Sequence, residues 1–163
     1  IKQYIDQLLK QQDAVNKQIT FSGNTALDAI VNSKTAAANR VGVQVHTIIT
    51  TALAGVSPED ITIIIGNALD NAIEACAKLP AEETKTIYLE MKAIEKYLFI
   101  TVTNPFAKES AANNSHWATT KEDKTAHGYG LKSMEQTVQK YNGKMSIDTE
   151  DEIFTLKILL ENK

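Results

Sequence analysis

The chain has 163 residues, a net charge of −3, 43% hydrophobic and 23% charged residues, the proportions of one globular domain with room for a short appendage. Its mild acidity and scattered Lys and Arg exclude the basic footprint of a nucleic-acid binder. The single cysteine, Cys76, excludes an internal disulfide and a closed thiolate metal site, no apolar run approaches the ~18 residues that span a bilayer, and no signal peptide is present.

Over residues 1–19, Ile1, Tyr4, Ile5, Leu8, Leu9, Val15 and Ile19 recur at helical spacing as a narrow apolar stripe. Such a stripe suits either a partner helix from a second copy or packing on its own domain. The chain opens within this helix at Ile1 rather than Met, so it reads as a piece of a longer protein. Phe21-Ser22-Gly23-Asn24 breaks the pattern. A second helix follows, with Leu27, Ile30, Val31 and Ala38 inward and Lys34 and Arg40 outward, and Gly42 ends it. Val43 and Val45 then alternate with Gln44 and His46 as a short strand.

Ser57-Pro58-Glu59-Asp60 starts the next helix: serine caps, proline fits the first turn, and Asp60 completes a capping box. This helix is expected to run to Lys78, with Pro80 stopping it. Two alternating strands follow, carrying Ile87, Leu89 and Met91, then Leu98, Ile100 and Val102, with a turn at Glu95-Lys96. Residues 105–127 are polar and aperiodic, the mark of a functional lid. A helix from Leu131 to Tyr141 is ended by Asn142-Gly143, and strands over 144–149 and 153–160 form a hairpin through Glu150-Asp151. Helices in one layer over a mixed sheet make an α+β two-layer sandwich.

The helix after Ser57 carries the chemistry. Asn67, Asp70, Asn71 and Glu74 fall within an arc of about 100°. Ile61, Ile64, Ile65, Ala68, Leu69, Ala72, Ile73 and Cys76 cover the opposite side. A solvated face would favour Lys, Glu and Gln, whereas two mid-helix asparagines sacrifice helix propensity. Ile63 within the same arc implies that the face is covered. An asparagine oxygen is a good neutral ligand for Mg²⁺, whose shell is completed by water and phosphate oxygens. Asp70 or Asn67 would orient an attacking nucleophile or a water, a carboxylate being the better base.

Gly128-Tyr129-Gly130 is expected as a turn just before a helix, where glycines admit a close ligand and free amides favour phosphate; the alternative is a simple turn. Lys121 and Lys124 either neutralise phosphate or are surface lysines. His127 either contacts phosphate or holds the loop. His46 and His116 have no ligand-like neighbours, and Trp117 either anchors the lid or touches a partner.

Together these motifs resemble the ATP-binding fold of the GHKL superfamily (gyrase, heat-shock chaperones, histidine kinases and MutL), the Bergerat fold. Asn67 to Ala75 resembles its asparagine-box helix, Asn104 stands where the first glycine box begins, and His127-Gly128-Tyr129-Gly130-Leu131-Lys132 resembles the second. The run Asp70-Asn71-Ala72-Ile73-Glu74-Ala75, the Asn104-Pro105 after a strand and the His-Gly-x-Gly-Leu-Lys element are most similar to the Agr-type, peptide-pheromone-sensing histidine kinases of quorum sensing.

The resemblance implies a catalytic domain over residues 20–163 and the end of a dimerisation helix over 1–19. It implies ATP and Mg²⁺ as cofactors, with Asn71 as the metal ligand and Asn67 and Asp70 beside the γ-phosphate. Glu74, Asn104, Lys121, Lys124, His127, Tyr129, Leu131 and Lys132 line the nucleotide, and Gly128 and Gly130 let the lid fold over the phosphates. The γ-phosphoryl passes to a histidine on a helical domain upstream of Ile1, so this chain binds ATP or ADP without phosphorylating itself. The implied partners are that phosphoacceptor domain, a response regulator and a second copy in a homodimer. The implied setting is the cytoplasmic side of a membrane-anchored sensor.

Two residues depart from the family pattern. Asn104-Pro105-Phe106 replaces Asp-x-Gly-x-Gly, so a neutral amide oxygen rather than a carboxylate receives the adenine amino group. Glu74 stands where many histidine kinases carry a base, which shifts phosphate neutralisation to Lys121, Lys124, Mg²⁺ and backbone amides. Two rivals remain: a partner-binding regulatory module insensitive to nucleotide, and a hydrolytic ATPase, which wants a carboxylate at position 67.

Overall fold

A computed structural model of the protein describes residues 22–107 and 127–162. Within them the chain forms α1 (Thr25–Arg40), β1 (Gln44–Ile49), α2 (Pro58–Ala77), β2 (Thr86–Ile94), β3 (Tyr97–Pro105), α3 (His127–Lys140), β4 (Lys144–Glu150) and β5 (Ile153–Glu161). The helix expected over 1–19 and the loop residues His116, Trp117, Lys121 and Lys124 lie outside the described residues. The three helices cover a five-stranded mixed sheet of order β1-β2-β3-β5-β4, the α+β sandwich expected from the sequence. β1 runs parallel to β2, and the remaining pairs are antiparallel.

Each helix start has a local cause. Asn24 caps α1, its Oδ1 accepting from Leu27 N at 3.1 Å while its Nδ2 donates to Ala52 O at 2.8 Å. Gly42 follows α1 at φ 75°, a left-handed conformation that glycine adopts without steric cost. Ser57 caps α2, its Oγ accepting from Asp60 N at 3.2 Å, with Pro58 in the first turn.

The expected capping box is only half formed. The Asp60 carboxylate does not accept the Ser57 N–H, which donates instead to Tyr141 Oη at 3.0 Å. That hydroxyl donates to Asp60 Oδ2 at 2.6 Å, and Lys140 Nζ donates to Oδ1 at 3.0 Å. Asp60 is 7% exposed, so its charge is satisfied by donors across the helix seam. The end of α3 is thereby fastened to the beginning of α2.

Three boundaries differ from expectation. β1 extends to Ile49, three residues past His46. α3 begins at His127, four residues before Leu131, so Gly128-Tyr129-Gly130 forms its first turn rather than a turn ahead of it. The β4–β5 hairpin turns through Asp151-Glu152, one residue later than expected, with φ of 52° and 63°. Both residues must be left-handed there because a two-residue turn has to match the twist of its strands. The Glu95-Lys96 turn stands where it was expected. At the end of α3, Asn142 takes the left-handed position (φ 49°), while a Cβ on Gly143 would run into the Leu159 carbonyl.

The core lies between the layers. α2 contributes Ile61, Ile64, Ile65, Ala68, Leu69, Ala72 and Cys76, and β3 contributes Leu98, Ile100 and Val102. Each large aliphatic side chain buried there contributes about 1.5–3 kcal/mol. β3 alternates inward and outward, and its fourth inward residue is polar: Asn104 is 1% exposed. No helix among the described residues is long and apolar enough to cross a membrane.

Candidate functional site

α2 is the middle helix, with α1 on one side and α3 on the other. Gly66 is the point where α1 comes close: a Cβ there would stand 3.4 Å from Ile30 Cδ1. One turn on, Lys34 Nζ lies 2.6 Å from Asp70 Oδ1. On the other side Gly130, in the first turn of α3, approaches so nearly that a Cβ would stand 3.1 Å from Asn67 Oδ1. The polar arc of α2 is therefore bordered by α1 at Asp70 and by α3 at Asn67. Asn67, Asn71 and Glu74 are half-buried, and Asp70 is exposed.

Asn67 is held in one orientation. Its Nδ2 donates to Ile63 O at 2.8 Å, one turn back in its own helix, so its Oδ1 points out toward Gly130. The sequence motif around residues 67–74 and the glycine pair are thus in direct contact.

Lys34 is the residue that the sequence reading placed wrongly. It was expected to point outward, yet its side chain is 24% exposed and lies in the seam between α1 and α2. A signal existed: Leu27, Val31, Lys34 and Ala38 recur at three- and four-residue spacing, so Lys34 continues the inward stripe.

Asn104 lies beyond the C-terminal half of α2. Its Nδ2 donates to Pro105 O at 2.9 Å, and Cys76 Sγ approaches the same carbonyl at 3.9 Å. Its Oδ1 is buried and has no hydrogen-bond partner among the described residues. Burial pushes the Cys76 thiol up to about 11, with Lys85 opposing. The neighbouring walls are apolar: Phe106 and Phe154 meet edge to face, 6.4 Å between ring centroids.

In α3, Tyr129 is 65% exposed, Gly130 is buried, Leu131 packs against the core and Lys132 is exposed. His127 and Gly128 belong to the first turn, whose backbone N–H groups have no partner within the helix. His46 stacks on Tyr88 on the outer face of the sheet, away from the motif residues. Among the described residues no group of three or more His, Cys, Asp or Glu is placed to hold a metal. Two shallow depressions, one at the β4–β5 hairpin and one on the outer face of β3, β4 and β5, contain none of the motif residues.

A family model described as the GHKL domain matches residues 56–161, a span that includes the α2 motif, Asn104 and the glycine turn of α3. The chain belongs to the GHKL domain family. The fold of this GHKL domain is also that of solved histidine kinase catalytic domains. The catalytic domain of the histidine kinase ThkA, in a nucleotide-free form, superposes with a TM-score of 0.68 at 13% identity, covering 87% of this chain and 95% of that one. A mycobacterial sensor histidine kinase, MprB, gives 0.61 at 14% identity, covering 85% and 93%. The Acinetobacter baumannii histidine kinase AdeS gives 0.60 at 11% identity, covering 83% and 64%. No curated protein matches the chain closely enough to serve as a relative. At these identities the likeness is one of fold.

Proposed function

We propose that this GHKL domain is the ATP-binding catalytic domain of a sensor histidine kinase of a two-component system, passing the ATP γ-phosphoryl to a histidine outside this chain. The observation that carries this reading is the bare Oδ1 of Asn104. A buried acceptor without a partner costs about 1–3 kcal/mol, which a ligand that brings a donor recovers. The exocyclic amino group of adenine is such a donor, whereas guanine presents a carbonyl at that position. The bond from Nδ2 to Pro105 O fixes which side of the amide meets the ligand.

From Asn104 the polar face of α2 leads back to the phosphate end. Cys76, beside Pro105, follows Asn71 along the helix by about 7.5 Å, and Asn67 lies one further turn back against α3. A nucleotide with its base at Asn104 extends its phosphates past Asn71 and Asn67 to the first turn of α3, whose N–H groups, without partners inside the helix, favour anions. Asn71 offers one neutral amide oxygen, a donor that suits Mg²⁺ held jointly with phosphate oxygens and water. When bound, that ion stabilises charge on the transferring phosphoryl group. Asn67 and Asp70 orient the incoming nucleophile, and Asp70 is the carboxylate able to take its proton. Glu74, Tyr129, Leu131 and Lys132 border the nucleotide, and Lys121, Lys124, His127 and Gly128 close over it.

In this reading residues 20–163 are the catalytic unit and 1–19 the end of a dimerisation helix. The partners are the phosphoacceptor helices of the same kinase, a second copy and a response regulator, in a membrane-anchored sensor with this domain on the cytoplasmic side. The Asp70–Ala75 run and the Asn104-Pro105 pair support a peptide-pheromone-sensing, Agr-type kinase.

Calorimetric titration with ATP, ADP and GTP in the presence of Mg²⁺ tests the proposal. ATP and ADP are expected to bind and GTP to bind far less, and Asn104→Ala should weaken ATP by about tenfold. Absence of binding at millimolar nucleotide would sink the reading and favour a partner-binding regulatory module of the same fold.

A further inference from the structure

We propose that Lys34, on α1, neutralises the polyphosphate of the nucleotide bound at α2; the inference rests on the ATP-binding reading above. α2 contains no Lys, Arg or His. Its polar arc carries two carboxylates, Asp70 and Glu74, beside the neutral amides of Asn67 and Asn71. A polyphosphate laid along that arc finds no cation on α2 itself. A cation has to come from another element, and the structure brings Lys34 to this face.

The way Lys34 gets there is unusual for a lysine. Its side chain is 24% exposed, whereas its partner Asp70 is 55% exposed. An ordinary surface lysine keeps its ammonium in water and its stem against the protein; here the stem crosses the helix seam and the ammonium emerges beside Asp70. The stem crosses over Gly66, where a Cβ would stand in ordinary van der Waals contact with Lys34 Cε at 4.0 Å and Ile30 Cδ1 at 3.4 Å. As a purely structural ion pair the contact would contribute little, because Asp70 is largely in solvent. An apolar residue in the same stripe with Leu27, Val31 and Ala38 would fill the seam at least as well. The ammonium has three donors. Asp70 takes one and holds the group at 2.6 Å on the rim of the arc, which among the described residues leaves two for non-bridging phosphate oxygens.

The test is calorimetry on the purified domain with ATP and AMP, in Mg²⁺, for the wild type, Lys34→Met and Lys34→Arg, each also in an Asp70→Asn background. Methionine keeps the apolar stem across Gly66 and removes the charge. Lys34→Met is expected to weaken ATP by about tenfold or more while AMP stays within about twofold, with arginine restoring most of the loss. The loss for ATP should persist in the Asp70→Asn background. Equal weakening of ATP and AMP, or a loss that vanishes once Asp70 is neutral, would overturn the inference, because Lys34 would then be acting on the fold or through Asp70. Unchanged ATP affinity would overturn it too. A wild-type domain that binds neither nucleotide overturns the ATP-binding reading itself. Circular dichroism verifies folding, and should Lys34→Met fail to fold, Lys34→Gln supplies the same comparison.

Discussion

Gly130, in the first turn of α3, lies directly against Asn67 of α2: a Cβ at position 130 would stand 3.1 Å from Asn67 Oδ1 and 3.7 Å from its Cβ. Asn67 cannot simply turn aside, because its Nδ2 is held by Ile63 O. Gly130→Ala therefore displaces the asparagine or tilts the helix end. Alanine also gains up to about 1 kcal/mol of helix propensity, which offsets much of the steric cost to stability. The expected outcome is a thermal midpoint within about 5 °C of wild type but ATP affinity lowered by about fivefold or more. An alanine variant that melts and binds like the wild type would remove the asparagine–glycine contact from the site.

The second prediction concerns the base. Asn104→Asp conserves shape, places a carboxylate where the bare Oδ1 now sits and replaces the Nδ2 donor to Pro105 O by an oxygen. Without ligand, that charge has no donor among the described residues, so the variant should melt below the wild type and its carboxyl should titrate above the usual range. With ATP, the hydrogen bond from the adenine amino group becomes charge-assisted. The ATP-induced rise in melting temperature should consequently be larger in the variant than in the wild type. Thermal shift with and without nucleotide measures both quantities, and a smaller rise would mean that Asn104 does not face the base.

These residues also show where sequence reasoning succeeds and stops. The start of α2 was legible because Ser57 and Pro58 act locally, and the polar arc was legible because helical periodicity projects Asn67, Asp70, Asn71 and Glu74 onto one side. The role of Tyr141 was not: it reads as one more apolar-face residue of α3, and only the tertiary fold brings its hydroxyl to Ser57 N and Asp60. The glycine pair misled for the opposite reason. Low helix propensity favours a turn, yet close packing on Asn67 makes glycine the fitting residue within a helical first turn. Lys34 was expected outward, although its spacing put it in the inward stripe; what it crosses over is a glycine in another helix, which no local pattern reveals.

Cys76 supplies a probe of the seam between α2 and β3. It is fully buried, and burial pushes its thiol up to about 11 against a smaller opposing effect of Lys85. At pH 8 about one thiol in a thousand is then ionised, and that one is shielded from reagents. A disulfide reagent such as dithiobis(nitrobenzoic acid) is expected to leave the native protein unmodified over an hour and to react completely in denaturant. Rapid labelling of the native protein would show instead that this seam opens locally.

The last prediction follows from the polar cluster that fastens α3 to α2. Burial pushes the Asp60 carboxyl up, but hydrogen bonds from Tyr141, Lys140 and Ser57 together outweigh it and hold the group below its ordinary 3.8. The folded protein therefore binds this proton less readily than the unfolded chain. The resulting stabilisation is complete above the ordinary value and is lost as the pH falls from there through the lower folded value. Tyr141→Phe should cost about 1–3 kcal/mol at neutral pH, measured by urea unfolding. Part of that cost comes from the Ser57 N–H left without its acceptor, and this part does not depend on pH. The remainder comes from the hydroxyl lost to Asp60 Oδ2, and it should shrink as the carboxylate becomes protonated. Asp60→Asn should likewise be destabilised at neutral pH and converge on the wild type in acid. A gap between Asp60→Asn and the wild type that stays constant from neutral pH down to pH values below the ordinary carboxylate range would mean that Asp60 carries no charge in the folded protein. Lys140 and Tyr141 would then need another explanation for meeting at the first turn of α2.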